Sequence, residues 1–414
     1  MQSKRVWARV LGVERDVVIE GVEFDEDVAE IVVSCRLRRG AGRRCGRCHR
    51  RCGRYDRGEG RRRWRALDAG TVRVFIEADA PRVSCPDHGV TVAAVPWARH
   101  SAGHTRAFDD QAAWLVTHCS KTAVVELMRV AWRTVGAIAA RVVSDARAAH
   151  DPFDGLVRIG IDEISYRRGH KYLMVVVDHD TGRLVWAKEG HDRKTLEAFF
   201  DLLGPDRAAK ICLVSADAAE WIGDVAVTAC VNATLCLDPF HIVRWASQAL
   251  DVVRRWVWNL LRRLGLAGQA AHLKGCRYAL WKNPQDLTSR QAGKLAWIAK
   301  HNSTLYRAYM LKEQLRLVFQ HRGEQAVAML DASLAWARRS QIPAFVELYY
   351  RINKNRTGII ASVTHGLSNG LTESINTKLR LLTRIAYGFR STDNLIALCL
   401  LDRGGHCPPL PGRT

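Results

Sequence analysis

The stretch from residue 156 to 238 constrains this chain more than any other. "LVRIGIDEIS", "KYLMVVVDHDTG" and "RLVWAKEG" are three β-rich runs at hairpin spacing. "DRKTLEAFFDLLG" then switches to the 3.6-residue period of an amphipathic helix. "KICLVSAD" reads as a buried strand, "AAEWIGDVAVTAC" as a helix and "ATLCLD" as another buried strand. A meander followed by strand and helix alternation predicts an α/β fold with a mixed sheet.

In an open α/β sheet, sites form at the carboxyl ends of parallel strands. Aspartates stand at those places here. Asp162 alternates with Ile159 and Ile161, which sends it to the opposite face, with Glu163 pointing the other way. Asp217 ends "KICLVSAD" and Asp238 ends "ATLCLD". Carboxylates gathered without cations repel one another, and a divalent metal removes that cost. Each aspartate also has an ordinary reading. Asp217 precedes a helix and suits an N-cap. Asp238 precedes Pro239, a favoured first helical residue, so its carboxylate suits a cap on the backbone N–H of His241. Asp178 and Asp180 read as turn residues.

The turn-rich "DPFDG" (151–155) marks a boundary before this segment. After it, from Phe240 to about Arg356, the chain is helical, basic and rich in tryptophan: Trp245, Trp256, Trp258, Trp281, Trp297 and Trp336. The loop "INKNRTGIIASVTHGLSNG" leads to a last amphipathic helix, "LTESINTKLRLLTRIAYGFRS". Ile375, Leu379, Leu382 and Ala386 form its apolar stripe, and Glu373, Thr377, Arg380 and Arg384 line another face. A glutamate two turns before an arginine suits a metal ligand beside a phosphate contact. A solvated face with an ion pair has the same pattern.

Residues 1–100 read as short strands. Within them "CGRC" supplies Cys45 and Cys48, and "CPDH" supplies Cys85 and His88. Two such pairs complete a tetrahedral zinc site of three thiolates and one imidazole, with His49 and Cys52 as nearby spare ligands. From Thr105 to His150 the period is helical, and a short break at Arg129 to Trp132 suggests a helix-turn-helix. A plain helical hairpin would share that pattern. Between Gly42 and Arg65 stand 11 arginines against two acids, Asp56 and Glu59, and the whole chain carries a formal charge of +21. That balance suits a polyanionic partner, most simply nucleic acid, better than a small neutral substrate. The N-terminus lacks the apolar segment of a signal peptide, and no run of about 18 apolar residues occurs. The expectation is a cytoplasmic protein with reduced thiols and no membrane span. Cys212, Cys230, Cys236 and Cys399 lie in apolar runs and read as packing residues.

Taken in order, these blocks resemble the DDE transposases with a ribonuclease H-like core. In detail, "IGIDEISYRRGHKYLMVVVD", "DPFHIV" and "SNGLTESINTKLR" resemble the insertion-sequence transposases of the ISL-three group, over about residues 5 to 403. The resemblance implies a β-rich zinc-binding, DNA-binding domain (1–100), a helix-turn-helix (101–150) and a ribonuclease H-like core (151–241). An α-helical insertion (242–366), a final core helix with the catalytic glutamate (367–403) and a tail (404–414) would follow. It implies Asp162, Asp217 and Glu373 as a catalytic triad on Mg²⁺ or Mn²⁺, supported by Asp238 and His241 of a D-x-x-H signature and by Arg380. It implies Zn²⁺ on Cys45, Cys48, Cys85 and His88. Arg61, Arg62, Arg63, Arg133, Arg141, Lys378 and Arg384 would contact DNA, with the second helix of the helix-turn-helix, roughly Trp132 to Val142, in the major groove. The partners implied are double-stranded DNA, both the element's terminal inverted repeats and target DNA, and further copies of the chain on that DNA, at the bacterial nucleoid. The activity implied is metal-dependent strand cleavage and transfer. One departure is "AAEW" after Asp217, where a bulkier start is usual. A reading from another class is a zinc-dependent, sequence-specific DNA-binding regulator with an inactive core. A ribonuclease H-like nuclease is a third.

Overall fold

The structure, a computed structural model, describes residues 2–167, 169–385 and 391–413. Ala386, at the end of the predicted apolar stripe, and Arg168 lie outside the described residues. Contacts divide the chain into two compact units, Met1–Pro152 with Leu381–Thr414, and Phe153–Arg380.

The first unit opens on a helix, α1 (Gln2–Val10), where only strands were expected. Its seven strands are β1 (Val17–Asp25), β2 (Glu30–Leu37), β3 (Gly53–Asp56), β4 (Arg61–Arg65), β5 (Arg73–Asp79), β6 (Arg82–Cys85) and β7 (Gly89–Val92). They make two sheets, in the orders β1-β2-β5-β4 and β3-β6-β7. Val33, Ile76 and Trp64 fill the core beside the larger sheet, with Trp97 edge-on to Trp64 at 5.3 Å. Three helices follow: α2 (Arg106–His118), α3 (Lys121–Met128) and α4 (Trp132–Ala149). Thr105 and Ser120 cap α2 and α3 through their hydroxyls. Arg129 ends α3 in the left-handed region (φ +50°), and its guanidinium donates to Asp68 and to the Thr71 carbonyl, which holds that uncommon backbone. A tight turn and α4 come next, as the break in the sequence suggested. The C-terminal helix α17 (Thr392–Arg403; α5–α16 belong to the second unit) packs on α4 and α2. The segment expected to close the core, 367–403, divides between the units, with 367–380 in the second and Leu381 onward in the first.

A buried ion network ties α2 to α4. Asp109 is fully buried and accepts from Arg141 Nε at 3.1 Å, with Arg99 3.7 Å away. Burial pushes the Asp109 carboxyl up to about 6 despite both guanidinium groups. Arg141 also donates to the Ser101 carbonyl. The guanidinium expected to contact DNA thus also engages Asp109 and the Ser101 carbonyl within this unit. Asp109→Ala would leave Arg141 desolvated without its carboxylate. It should destabilise this unit by about 3–5 kcal/mol, and an unchanged denaturation midpoint would contradict that.

The second unit holds the five-stranded sheet. Its strands are β8 (Arg158–Arg167), β9 (Lys171–Asp178), β10 (Arg183–Glu189), β11 (Leu213–Ala216) and β12 (Thr234–Leu237), in the order β10-β9-β8-β11-β12. The first three form the antiparallel meander, and β11 and β12 run parallel to β8. This 3-2-1-4-5 order is that of a ribonuclease H-like core. Helices α5 (Arg193–Leu203), α6 (Pro205–Ala208) and α7 (Glu220–Ala229) connect the strands, and Phe199, Ile159 and Val214 share their core. The insertion begins with α8 (Pro239–Arg263). It continues through α9 (Ala267–Lys274), α10 (Arg277–Trp281), α11 (Ser289–His301), α12 (Ser303–Val318), α13 (Gly323–Arg339), α14 (Pro343–Lys354) and α15 (Arg356–His365) around a separate apolar core. Helix α16 (Gly370–Ile385) then returns to the sheet.

Candidate active site and zinc cluster

Cross-strand register aligns the three aspartates. Gly160 pairs with Ser215 between β8 and β11, and Ala216 pairs with Leu237 between β11 and β12. Continuing these parallel registers sets Asp162 level with Asp217 and Asp217 level with Asp238. Neighbouring strands lie about 4.8 Å apart. Asp217 is thus one strand from Asp162, and Asp238 is two.

Each carboxylate is held differently. Asp162 Oδ1 accepts from the Glu163 N–H at 2.7 Å, and Oδ2 accepts from Asn376 Nδ2 at 2.7 Å. Burial pushes the Asp162 carboxyl up to about 6; the Glu163 N–H opposes this and the charge of Asp217 adds to it. Asp217 Oδ1 accepts from the Ala219 N–H at 3.0 Å, closing a local turn rather than capping α7, whose N-cap is Ala219. Asp238 occupies the N-cap position of α8 but makes no side-chain cap. Its Oδ2 accepts from His241 Nδ1 at 2.9 Å and its Oδ1 from the Asn369 N–H at 3.3 Å. The expected bond from the His241 backbone N–H goes instead to the Asp238 carbonyl oxygen. The side-chain bond from His241 Nδ1 to the Asp238 carboxylate raises the pKa of His241; burial opposes it, and the charges of Asp238, Asp217 and Asp162 reinforce it. Glu163, expected to point away, is pushed up to about 7 by burial and by Asp217.

The helix carrying Glu373 is tied to this row through residues that the sequence reading did not single out. Asn369 Nδ2 donates to the Ile161 carbonyl at 3.4 Å, and Asn369 Oδ1 accepts from the buried Ser215 hydroxyl. Ser215 in turn accepts from His179 Nε2 at 2.7 Å. Thr372 sits over Gly160, where an added Cβ would meet Thr372 Oγ1 at 2.7 Å, so α16 approaches β8 as closely as only glycine permits. Asn369, Thr372 and Asn376 recur at i, i+3 and i+7 and are all buried. That spacing was readable, but polar residues on the inward stripe of a helix do not register in an apolar period. Glu373 lies next to this stripe, three residues and about 4.5 Å of rise before Asn376. It is exposed, as are Arg380 and Arg384, while Lys378 is half-buried. Among the described residues, the acids do not form a preassembled cage of three ligands within 4.8 Å. Asp162 and Asp217 nevertheless supply a level, oxygen-only pair whose mutual repulsion a hard divalent cation would relieve, so the donor set fits Mg²⁺ or Mn²⁺.

The cysteine pairs do form a closed cluster. The ligand atoms of Cys45, Cys48, Cys85 and His88 all lie within 4.8 Å of one another. Cys48 Sγ to Cys85 Sγ is 3.7 Å, Cys45 Sγ to His88 Nδ1 is 3.7 Å, and Cys85 Sγ to His88 Nδ1 is 3.6 Å. A tetrahedron with Zn–S about 2.3 Å has edges of about 3.7 Å. Burial raises the Cys85 thiol, but the His88 ring and the N–H groups of Asp87 and His88 outweigh it and hold it at about 6. Cys52 stands beside the cluster, its thiol donating to the Arg50 carbonyl and interacting with Cys85. Gly46 lets the first knuckle close against the Val92 carbonyl, which an added Cβ would meet at 2.6 Å. Among the other cysteines, Cys230, Cys236 and Cys399 are buried as expected, whereas Cys212 is exposed.

The predicted DNA contacts divide. Arg133 is exposed at the start of α4. Arg61 and Arg63 both pair with Glu77, at 3.1 and 2.7 Å, and Arg62 donates to the Ala102 carbonyl at 3.0 Å. These three therefore also hold the edge strand β4. Among the described residues, no helix is long and apolar enough to cross a membrane.

Comparison with known proteins agrees with this layout. Residues 159–399 match the DDE transposase model of family ISL3. Residues 93–143 match the helix-turn-helix domain of transposase family ISL3. Residues 41–88 match the zinc finger of the transposases of IS204, IS1001, IS1096 and IS1165. The chain is 57% identical over 436 aligned residues to the transposase for insertion sequence element IS1557 of Mycobacterium tuberculosis, covering 100% of this chain and 98% of the relative. It is 26% identical over 379 residues to the transposase for insertion sequence element IS1001 of Bordetella parapertussis, covering 91% and 92%.

Proposed function

The chain belongs to the ISL3 family of transposases, and from that premise we propose that it cuts DNA at the ends of an insertion sequence and joins them to a target. Asp162, Asp217 and Glu373 act as the ligands of Mg²⁺ or Mn²⁺. The observation that carries this reading is the parallel register that sets Asp162 level with Asp217 on adjacent strands.

Divalent metal at these acids would activate an attacking hydroxyl and stabilise the leaving oxygen of an in-line displacement at phosphorus. The chain's own groups do the rest. Asn376 orients the Asp162 carboxylate by its 2.7 Å bond. Asn369 anchors the start of α16 to both β8 and Asp238, which limits how far Glu373 moves from the row. His241, whose protonated form the Asp238 side chain favours, offers a proton or a positive charge to a phosphate entering beside the row. Arg380 and Lys378 add positive charge further along α16. The zinc cluster and the helix-turn-helix recognise the terminal repeats, with Arg133 entering the major groove at the start of α4. The protein works as an oligomer that holds two ends.

The test is a gel assay with DNA carrying the element's own ends. Strand cleavage is expected with added Mg²⁺ or Mn²⁺ and none when the divalent metal is withheld. Specific binding without cleavage under either metal would replace this reading with that of a DNA-binding regulator.

A further inference from the structure

The helical insertion carries a groove that the acid row does not explain. One face of α8 buries Ile242, Trp245, Ala249 and Val253. The stripe beginning at Phe240 and Arg244 and ending at Arg255 forms a wall of an open groove of about 1050 Å³, faced by Arg277 and Trp281 of α10. The fifteen steps of helix from Phe240 to Arg255 make this wall about 22 Å long.

Three observations identify its occupant. The first is charge. Arg244, Arg255 and Arg277 are exposed along it, and the acid in its lining, Asp251, already pairs with Arg254 and Arg255. The second is the aromatic surface. Trp281 and Phe240 remain 38% and 56% exposed, and the Arg277 guanidinium lies 4.0 Å from the Trp281 ring centroid, a ready-made stacking platform. The third is position, because Phe240 follows Asp238 by two residues and the groove leads away from the acid row along α8. Guanidinium groups for phosphates, interleaved with exposed rings for unstacked bases, are what single-stranded nucleic acid requires. Paired bases offer no face to a ring.

We propose that this groove binds an unpaired stretch of the DNA strand next to the reacting phosphate, with one base stacked on Trp281 and the backbone held by Arg244 and Arg277. The location of the reacting phosphate rests on the reading of Asp162 and Asp217 given above; the binding itself does not need it.

Fluorescence anisotropy of the full-length, zinc-loaded protein, without added divalent metal, tests this on end DNA carrying a single-stranded thymidine overhang and on its blunt counterpart. Trp281→Ala should weaken overhang binding about tenfold and leave blunt binding unchanged, and Trp281→Phe should recover most of the loss. The Arg244→Ala, Arg277→Ala double variant changes only exposed side chains. It should flatten the salt dependence of overhang binding by about 1.4 in log K against log salt, from about 0.7 for each lost phosphate contact. Equal effects on overhang and blunt DNA, or no effect of either variant on the overhang, would overturn the proposal. If Asp162→Asn binds the overhang as wild type does, the groove stands whether or not the acids cut DNA. Cleavage without any Trp281-dependent preference for the overhang would refute the groove alone.

Discussion

Cys45→Ser should release the zinc and abolish specific binding of the element's ends. A structural zinc contributes on the order of 10–16 kcal/mol to the folding of small finger domains. Here its four ligands come from two knuckles 37 residues apart, joined by the small sheet β3-β6-β7. That sheet has three strands of four residues each, too little apolar surface to fold by itself. Cys45 is fully buried and its Sγ also accepts from the Arg47 N–H at 3.4 Å, so a serine there loses both the thiolate and the fit. The expected result is one zinc per chain in the wild type, none in Cys45→Ser, and a fall of about 100-fold or more in affinity for end DNA. Cys52→Ser should change neither quantity, because Cys45, Cys48, Cys85 and His88 close the ligand set without it. Zinc retained at full stoichiometry in Cys45→Ser would show that the ligand set is wrong.

Asp162→Asn should remove strand cleavage by at least about 10³-fold, because several kcal/mol of charge stabilisation at the phosphorus depend on that ligand. It should also stabilise the metal-free protein. Burial lifts the Asp162 carboxyl to about 6, above its unfolded value of about 3.9. A carboxyl whose pKa is raised on folding binds its proton more tightly in the folded state. Its contribution to stability is therefore lost as pH rises through that interval, and the penalty is complete above it. At pH 7.5 the neutral amide escapes a cost of up to about 3 kcal/mol, from an interval of roughly two pH units at about 1.4 kcal/mol each. The amide also fits locally, since Asn376 has a buried Oδ1 without a partner that a flipped side chain would turn toward it. The pairing of lost cleavage with a raised metal-free Tm separates a damaged ligand from a damaged fold. Glu373→Gln should lose cleavage to a similar degree without that rise in Tm, because Glu373 is exposed. Wild-type cleavage by either variant would remove that residue from the metal site.

Much of this was legible locally. The period-2 runs and their switch to a helical period gave the order of strands and helices in the core. The spacing of the cysteine pairs gave the zinc ligands, and the break near Arg129 gave the turn between α3 and α4. Asp217 was preferred to Asp238 as the partner of Asp162 on expected strand order, and β11 does lie between β8 and β12.

Other features depended on residues far apart in the chain. The pairing of Arg141 with the fully buried Asp109 was not readable, because a helical period does not report a partner on another helix. Asp238 looked like a cap, because the competing donor is the Asn369 N–H, 131 residues later. The first helix was missed although Val6, Trp7 and Val10 share one face of it, because nine mostly polar residues give that period only two turns to stand out. That the last helix, α17, packs on α4 and α2 was not legible locally either. Sequence by itself determined which residues are apolar, which carry charge and how each segment coils or extends, since these are local properties of the chain. Only the tertiary structure decided which carboxylates stand level and which polar stripe of α16 faces the sheet, because register and burial are set by partners that local patterning cannot identify.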